Sequence, residues 1–122
     1  MRLALESDPS INLIRSYGDG VITIGAQQLT RPCVVSPKHL QSDWNASSIA
    51  QLTIEQLQPL IATSASIVLL GEEGTQQWPE AAIRQLCRAR GIALECMNLG
   101  AACRTYNILA SEERAVIAGL FP

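Results

Sequence analysis

The sequence predicts a single α/β domain that spans residues 1–122, and three patterns carry this prediction. A hairpin signal lies near the amino terminus, a strand–helix–strand unit lies in the second half, and an uncharged apolar run lies at the carboxyl terminus. The length of 122 residues fits one domain. Hydrophobic residues make up 48% and charged residues 16% of the chain, so a folded core is expected rather than disorder.

The hairpin is predicted from two apolar, β-branched runs, Ile11–Tyr17 and Val21–Ile24, which flank a Gly18-Asp19-Gly20 turn. Glycine permits the positive φ angles that a tight hairpin turn requires. A further short strand is expected at Cys33–Val35, and the prolines at positions 32 and 37 limit its length to a few residues.

The next element is a helix from about Ile54 to Ala62. Thr53 followed by Gln56 has the order of a capping box. Pro59 weakens the prediction, because a proline inside a helix costs about 3 kcal/mol. The helix is expected to bury its apolar residues Leu57, Leu60 and Ile61.

A βαβ unit follows. Ser66–Leu70 is an apolar run that reads as a buried strand, Glu80–Arg90 reads as a helix, and Ile92–Met97 reads as the next strand. Pro79 suits the first turn of the helix and Gly91 suits its end. The two strands should therefore be parallel.

Two elements complete the chain. Ala101–Leu109 predicts a helix, and Ala115–Phe121 predicts a central strand. A surface helix would show polar residues every third or fourth position, whereas this last run has none.

The charge balance excludes several classes of function. Nine basic and eleven acidic residues give a net charge of −2 without a basic run, so nucleic acid is not an expected partner. No apolar stretch approaches the roughly 20 residues of a membrane helix. The first ten residues lack the apolar region of a signal peptide. We expect a cytoplasmic protein that is not embedded in a membrane.

The four cysteines do not predict a metal site. Cys33, Cys87, Cys96 and Cys103 form no CxxC pair, and His39 is the only histidine. We expect buried thiols, with no metal and no cofactor.

Candidate ligand-binding residues follow two strand ends, at one presumed edge of the sheet. The loop from Gly71 to Trp78 lies between a strand and a helix, where ligands bind in open α/β sheets. Glu72 and Glu73 would repel a phosphate, so a plain surface turn is the alternative to an anion or small-ligand loop. The candidate set comprises Gly71, Gly74, Cys103, Arg104, Thr105 and Asn107.

For the four candidates between Cys103 and Asn107, a purely structural role is the alternative to ligand binding or catalysis. Cys103 could act as a nucleophile only with a nearby base, and nothing places His39 there. Cys103 and Asn107 should share one helix face, with Arg104 elsewhere. Thr105 and Asn107 would then satisfy buried backbone groups, while Arg104 would pair with Glu112 or Glu113.

Trp44 and Trp78 both fall in predicted loops. They are either lids of the core or anchors of an interface with a protein partner, where tryptophan is enriched. A homodimer is compatible with the sequence, which does not require one.

The segment from Met97 to Leu109, which contains Ala-Cys-Arg-Thr-Tyr-Asn, and the following Glu112-Glu113-Arg114 resemble the Mth-like domain family. The resemblance extends from Tyr17 to Leu120. It implies a three-layer fold with a mixed central sheet, in which the last strand runs antiparallel inside the sheet.

The chain departs from the family pattern in three places. Leu99 stands where the family tends to have threonine, and Gly71–Gly74 stands where it has a Gly-Thr-Gly turn. Glu113 stands where it has glycine. The first two departures remove polar or open groups from the place where a ligand would sit.

The resemblance implies no catalytic activity. The family includes a factor that helps assemble mitochondrial respiratory complex I, so we expect a non-enzymatic module that binds a protein partner or assists assembly. The alternative is a small-molecule-binding protein or minor enzyme with a pocket at the sheet edge, around Gly71 and Cys103–Asn107.

Overall fold

The computed structural model describes residues 1–3, 10–74 and 77–122. These residues form eight strands and three helices. The strands are β1 (Ile14–Gly18), β2 (Val21–Ile24), β3 (Gln27–Leu29), β4 (Cys33–Ser36), β5 (His39–Gln41), β6 (Ile67–Glu72), β7 (Ala93–Asn98) and β8 (Val116–Phe121). The helices are α1 (Ile54–Ile61), α2 (Ala81–Ala89) and α3 (Leu99–Ser111).

The main sheet is mixed and has the strand order β5-β4-β8-β6-β7. The predicted βαβ unit is confirmed, since β6 and β7 are parallel neighbours in the sheet and α2 connects them. The last strand lies in the middle of the sheet, as expected. It is antiparallel to β4 but parallel to β6, so the expected antiparallel direction holds on one side only.

A smaller antiparallel sheet has the order β1-β2-β3. The predicted hairpin is confirmed, and its turn places Asp19 at φ 55° and Gly20 at φ 76°. Two consecutive positive φ angles are those of a type I′ turn, which matches the twist of the flanking strands. Neither β3 nor β5 was predicted from the sequence.

The predicted capping box of α1 is confirmed. Thr53 Oγ1 accepts from the Gln56 backbone at 3.1 Å, and Gln56 Oε1 accepts from the Thr53 backbone at 3.0 Å. Pro59 lies inside the helix, which continues to Ile61. Only one helical hydrogen bond is removed by the proline, and buried side chains on the same face hold the helix against the core: Leu57, Leu60 and Ile61.

Core side chains lie on both faces of the main sheet. Alternate residues of β6 and β8 point to opposite faces, so Leu69 and Ala118 join the smaller sheet and α3, whereas Val68 and Ile117 join α1 and α2. All six residues of β8 are buried, which is why this strand lacks polar positions.

No helix within residues 1–3, 10–74 and 77–122 is long and apolar enough to cross a membrane. Residues 4–9, which belong to the amino-terminal segment considered above for a signal peptide, lie outside the described residues.

Candidate functional site

The end of β6 and the start of α3, which carry the two groups of candidate ligand-binding residues, lie close together as expected. β6, β7 and β8 run in parallel and end together, with Glu72 in register with Asn98 and Phe121. α3 begins directly after β7, and the Asn98 side chain caps it by accepting from the Ala101 backbone at 2.8 Å. This juxtaposition brings the start of α3 over the end of β6.

Gly71 lies inside β6 and is buried, rather than in a loop. A Cβ atom at this position would lie 2.3 Å from the Ala102 Cβ, so the glycine allows α3 to approach the strand closely. Gly74 is exposed and adopts φ +99°, and no atom lies within 4 Å of the place where a Cβ would stand. Thr75 and Gln76, the next residues of the expected loop, lie outside the described residues.

Cys103 is fully buried among core side chains. Burial, with a smaller contribution from the nearby Cys33, raises the pKa of its thiol to about 12. Because the thiolate is the nucleophile, this side chain is inert at neutral pH. His39, the only histidine, is exposed on β5 at the outer edge of the sheet.

Asn107 satisfies buried backbone groups, as the structural alternative predicted from the sequence. Its Oδ1 accepts from the Ile14 backbone N–H at 2.8 Å, and its Nδ2 donates to the Ile14 carbonyl at 2.8 Å. The side-chain amide thereby forms the two hydrogen bonds that a neighbouring strand would form with this residue, and it ties α3 to β1. As expected, Cys103 and Asn107 lie on the same buried helix face.

The expected pairing of Arg104 with Glu112 or Glu113 is wrong. The Arg104 Nη1 donates to Tyr17 Oη at 2.7 Å, and no ion pair to either glutamate occurs among the described residues. The tyrosine ring lies across Gly100, which places its hydroxyl within reach of the helix side chain one turn further on. Thr105 is half-buried on the same helix.

The thiols provide a test of this burial. We expect Cys33 and Cys103 to resist alkylation by iodoacetamide in the folded protein, since burial raises the pKa of each to about 12. Cys96 is half-buried, and burial raises its pKa to about 11. Its labelling should therefore come first and accelerate about tenfold per pH unit between neutral and alkaline pH. Mass spectrometry of each peptide checks this order, and fast labelling of Cys103 at neutral pH would contradict the assignment.

The two tryptophans have different environments. Trp44 is only 3% exposed, its ring centroid lies 5.0 Å from that of Phe121, and its Nε1–H donates to the Gln56 carbonyl at 2.8 Å. Trp44 is therefore part of the core and not an exposed anchor for a partner. Trp78 is 61% exposed and comes just before α2.

Trp78 lines a groove of about 210 Å³ between α2 and β7, which we call the α2–β7 groove. Apolar and thiol side chains line it together with two arginines that lie one helical turn apart on α2. The pKa of the Cys96 thiol in the groove is raised to about 11, chiefly by burial and further by the charge of Glu95, against the opposing charge of Arg84. The lining residues are Trp78, Arg84, Cys87, Arg88, Ile92, Leu94 and Cys96.

Comparison with known families identifies the family of this chain. Residues 14–121 match the model of a family described as a protein of unknown function, DUF498/DUF598. The chain belongs to this family. A solved structure of a Bordetella pertussis protein described as a Mth938-like domain is 25% identical with a TM-score of 0.79, and the match covers 100% of this chain and 92% of that one. The resemblance to Mth-like domains is thereby confirmed.

Other relatives of this DUF498 chain agree. A Bordetella parapertussis crystal structure is 27% identical with a TM-score of 0.86, covering 95% of this chain and 99% of that one. The NADH dehydrogenase (ubiquinone) 1 alpha subcomplex assembly factor 3 of Danio rerio is 30% identical over 112 residues, and that of Homo sapiens is 30% identical over 111. These matches cover 90% and 89% of this chain, but only 64% and 60% of the two relatives.

Of the groove residues of this DUF498 chain, only Trp78 was a candidate functional residue from the sequence, whereas Cys87 and Cys96 were expected to be buried thiols. Ile92 and Leu94 were assigned to a strand, and Arg88 fell within a predicted helix. The alternation of apolar residues in β7 was a usable signal. What the sequence did not reveal is that β7 lies at the sheet edge, which leaves these side chains partly uncovered.

Proposed function

We propose that this chain is a non-enzymatic, intracellular module that binds a protein partner and serves an assembly role. The observation that carries the proposal is Trp78, a largely exposed indole that lines the α2–β7 groove together with apolar side chains and two arginines. Tryptophan and arginine are enriched among the residues that dominate binding energy at protein interfaces. The names of the curated relatives support the assembly role, since each is called an assembly factor.

The size of the groove favours a protein side chain over a small molecule. Pockets for drug-sized ligands have volumes of roughly 300–1,000 Å³, and the α2–β7 groove has about 210 Å³. That space accepts one or two side chains of a partner. The alternative pocket, at the carboxyl ends of the parallel strands, is not favoured, because Gly71, Cys103 and Asn107 are buried and occupied by internal contacts.

The proposal predicts that Trp78→Ala abolishes partner binding while the protein remains folded. The side chain is largely exposed, so its removal leaves the core intact, but it deletes the largest apolar surface beside the groove. The measurement is affinity purification of the tagged chain from its native cell under mild lysis, with quantitative mass spectrometry of the proteins recovered.

The matched control is Ile108→Ala. Ile108 is 59% exposed and lies on α3, away from the groove. We expect the unmodified chain and this control to recover the same partner protein. Trp78→Ala should not recover it. Equal recovery of every protein by the two variants, or recovery of none by the unmodified chain, would overturn the proposal.

A further inference from the structure

Among residues 1–3, 10–74 and 77–122, β7 pairs with β6 alone, which makes it an edge strand of the main sheet. The Ala93 N–H donates to the Ser66 carbonyl at 2.9 Å, on the β6 side. Backbone groups of successive residues in a strand point to alternate sides. Those of Leu94 therefore point away from the sheet, where an added strand would pair with them.

The side chains beside this edge set the chemistry of the added strand. Leu94 and Ile92 face the α2–β7 groove, next to Trp78. An added strand would continue the sheet, so every second side chain would lie on the α2 face. One of these would fill the groove as a large apolar residue.

The charge of the groove decides what the other side chains on that face should be. Arg84 and Arg88 stand one turn apart on α2 and both line the groove. Within the part of the chain that the structure describes, neither has a carboxylate partner, since the ion pair found joins Arg31 to Asp43. Arg84 is close enough to Cys96 to act on that thiol electrostatically. Glu95 belongs to the opposite face, because it alternates with Leu94 and Cys96.

A second copy of this chain fits the edge less well than an acidic segment does. Antiparallel pairing of two β7 strands would continue the sheet and put both α2 helices on one face. The Arg84–Arg88 pairs of the two copies would then meet across the junction, and like charges opposed at an interface are unfavourable.

We propose that β7 binds an extended segment of the partner protein as an additional strand, and that this segment alternates large apolar and acidic side chains on its α2-facing side. The apolar side chain occupies the groove beside Trp78 and Leu94, and the carboxylates pair with Arg84 and Arg88. The inference rests on the proposed function and specifies how the partner binds. In binding by strand addition, main-chain hydrogen bonds give affinity and side-chain pockets give specificity.

The test uses a short synthetic peptide that alternates glutamate with valine around a central phenylalanine, and the same peptide with lysine in place of glutamate. The full chain should bind the glutamate peptide at least about tenfold more tightly than the lysine peptide, with affinity that falls as salt rises. Amide exchange followed by NMR should slow at Leu94, while the opposite sheet edge at His39–Gln41 is unchanged.

A charge-reversed variant, Arg84→Glu with Arg88→Glu, should reverse the preference and favour the lysine peptide. Rescue by the opposite charge cannot arise from misfolding, so it separates recognition from stability. Equal binding of both peptides, unchanged exchange at Leu94, or concentration-dependent dimers that protect Leu94 without peptide would each overturn strand addition. The proposed function fails separately, if partner recovery does not depend on Trp78.

Discussion

Gly71→Ala should lower the free energy of unfolding by about 3 kcal/mol, because the added methyl group overpacks the core. The new Cβ would lie 2.3 Å from the Ala102 Cβ and 3.5 Å from the Leu99 Cα, so strand and helix must separate. Urea denaturation followed by circular dichroism measures the loss.

A double variant makes this prediction specific to one contact. Ala102→Gly alone should cost about 1 kcal/mol through helix propensity. Combined with Gly71→Ala, it removes the clashing methyl group and should recover part of the lost stability. A favourable coupling free energy in the double-mutant cycle supports the contact. Additive losses would contradict it.

Asn107→Ala should destabilise the protein by about 2–4 kcal/mol, because it leaves two buried backbone groups without partners. Both groups belong to Ile14, which is fully buried, so bulk water does not reach them in place of the amide. Ile108→Ala, at the next position but on the exposed face, is the control, and its effect should stay within about 0.5 kcal/mol.

A second substitution at the same position tests the geometry rather than the size of the side chain. Asn107→Asp keeps the acceptor for the Ile14 N–H but loses the donor to the Ile14 carbonyl at neutral pH. At about pH 4 the carboxyl can carry a proton and regain that donor. The stability gap to the unmodified chain should therefore narrow as pH falls, and a constant or widening gap would contradict the bridge.

Most of the fold could be predicted from local patterns. The unbroken apolar run of β8 identified a central strand, and Thr53 with Gln56 located the start of α1. β3 and β5 were missed, since each has three residues and is defined by its partner strand rather than by its own sequence. A strand of three residues is too short to show a clear two-residue alternation in its sequence.

The site was less predictable than the fold. Gly71 was a candidate for a ligand loop because it follows an apolar strand and precedes a helix, whereas in the structure it lies in β6 and allows the close approach of α3 to this strand. Arg104 was assigned a nearby glutamate, yet its partner is Tyr17, 87 residues away in the chain. Contacts between distant segments decide both cases, and sequence spacing does not encode them.

The central position of β8 also constrains when this protein can fold during synthesis. β4 and β6 are joined through β8, which follows both of them in the chain, so residues 33–98 cannot complete the main sheet on their own. Until residues 116–121 emerge, the nascent chain carries two partial sheets, each with an open hydrogen-bonding edge that other chains can engage. Assembly of the main sheet therefore has to wait for residues 116–121, and its rate is governed by pairing between segments that are far apart in the chain.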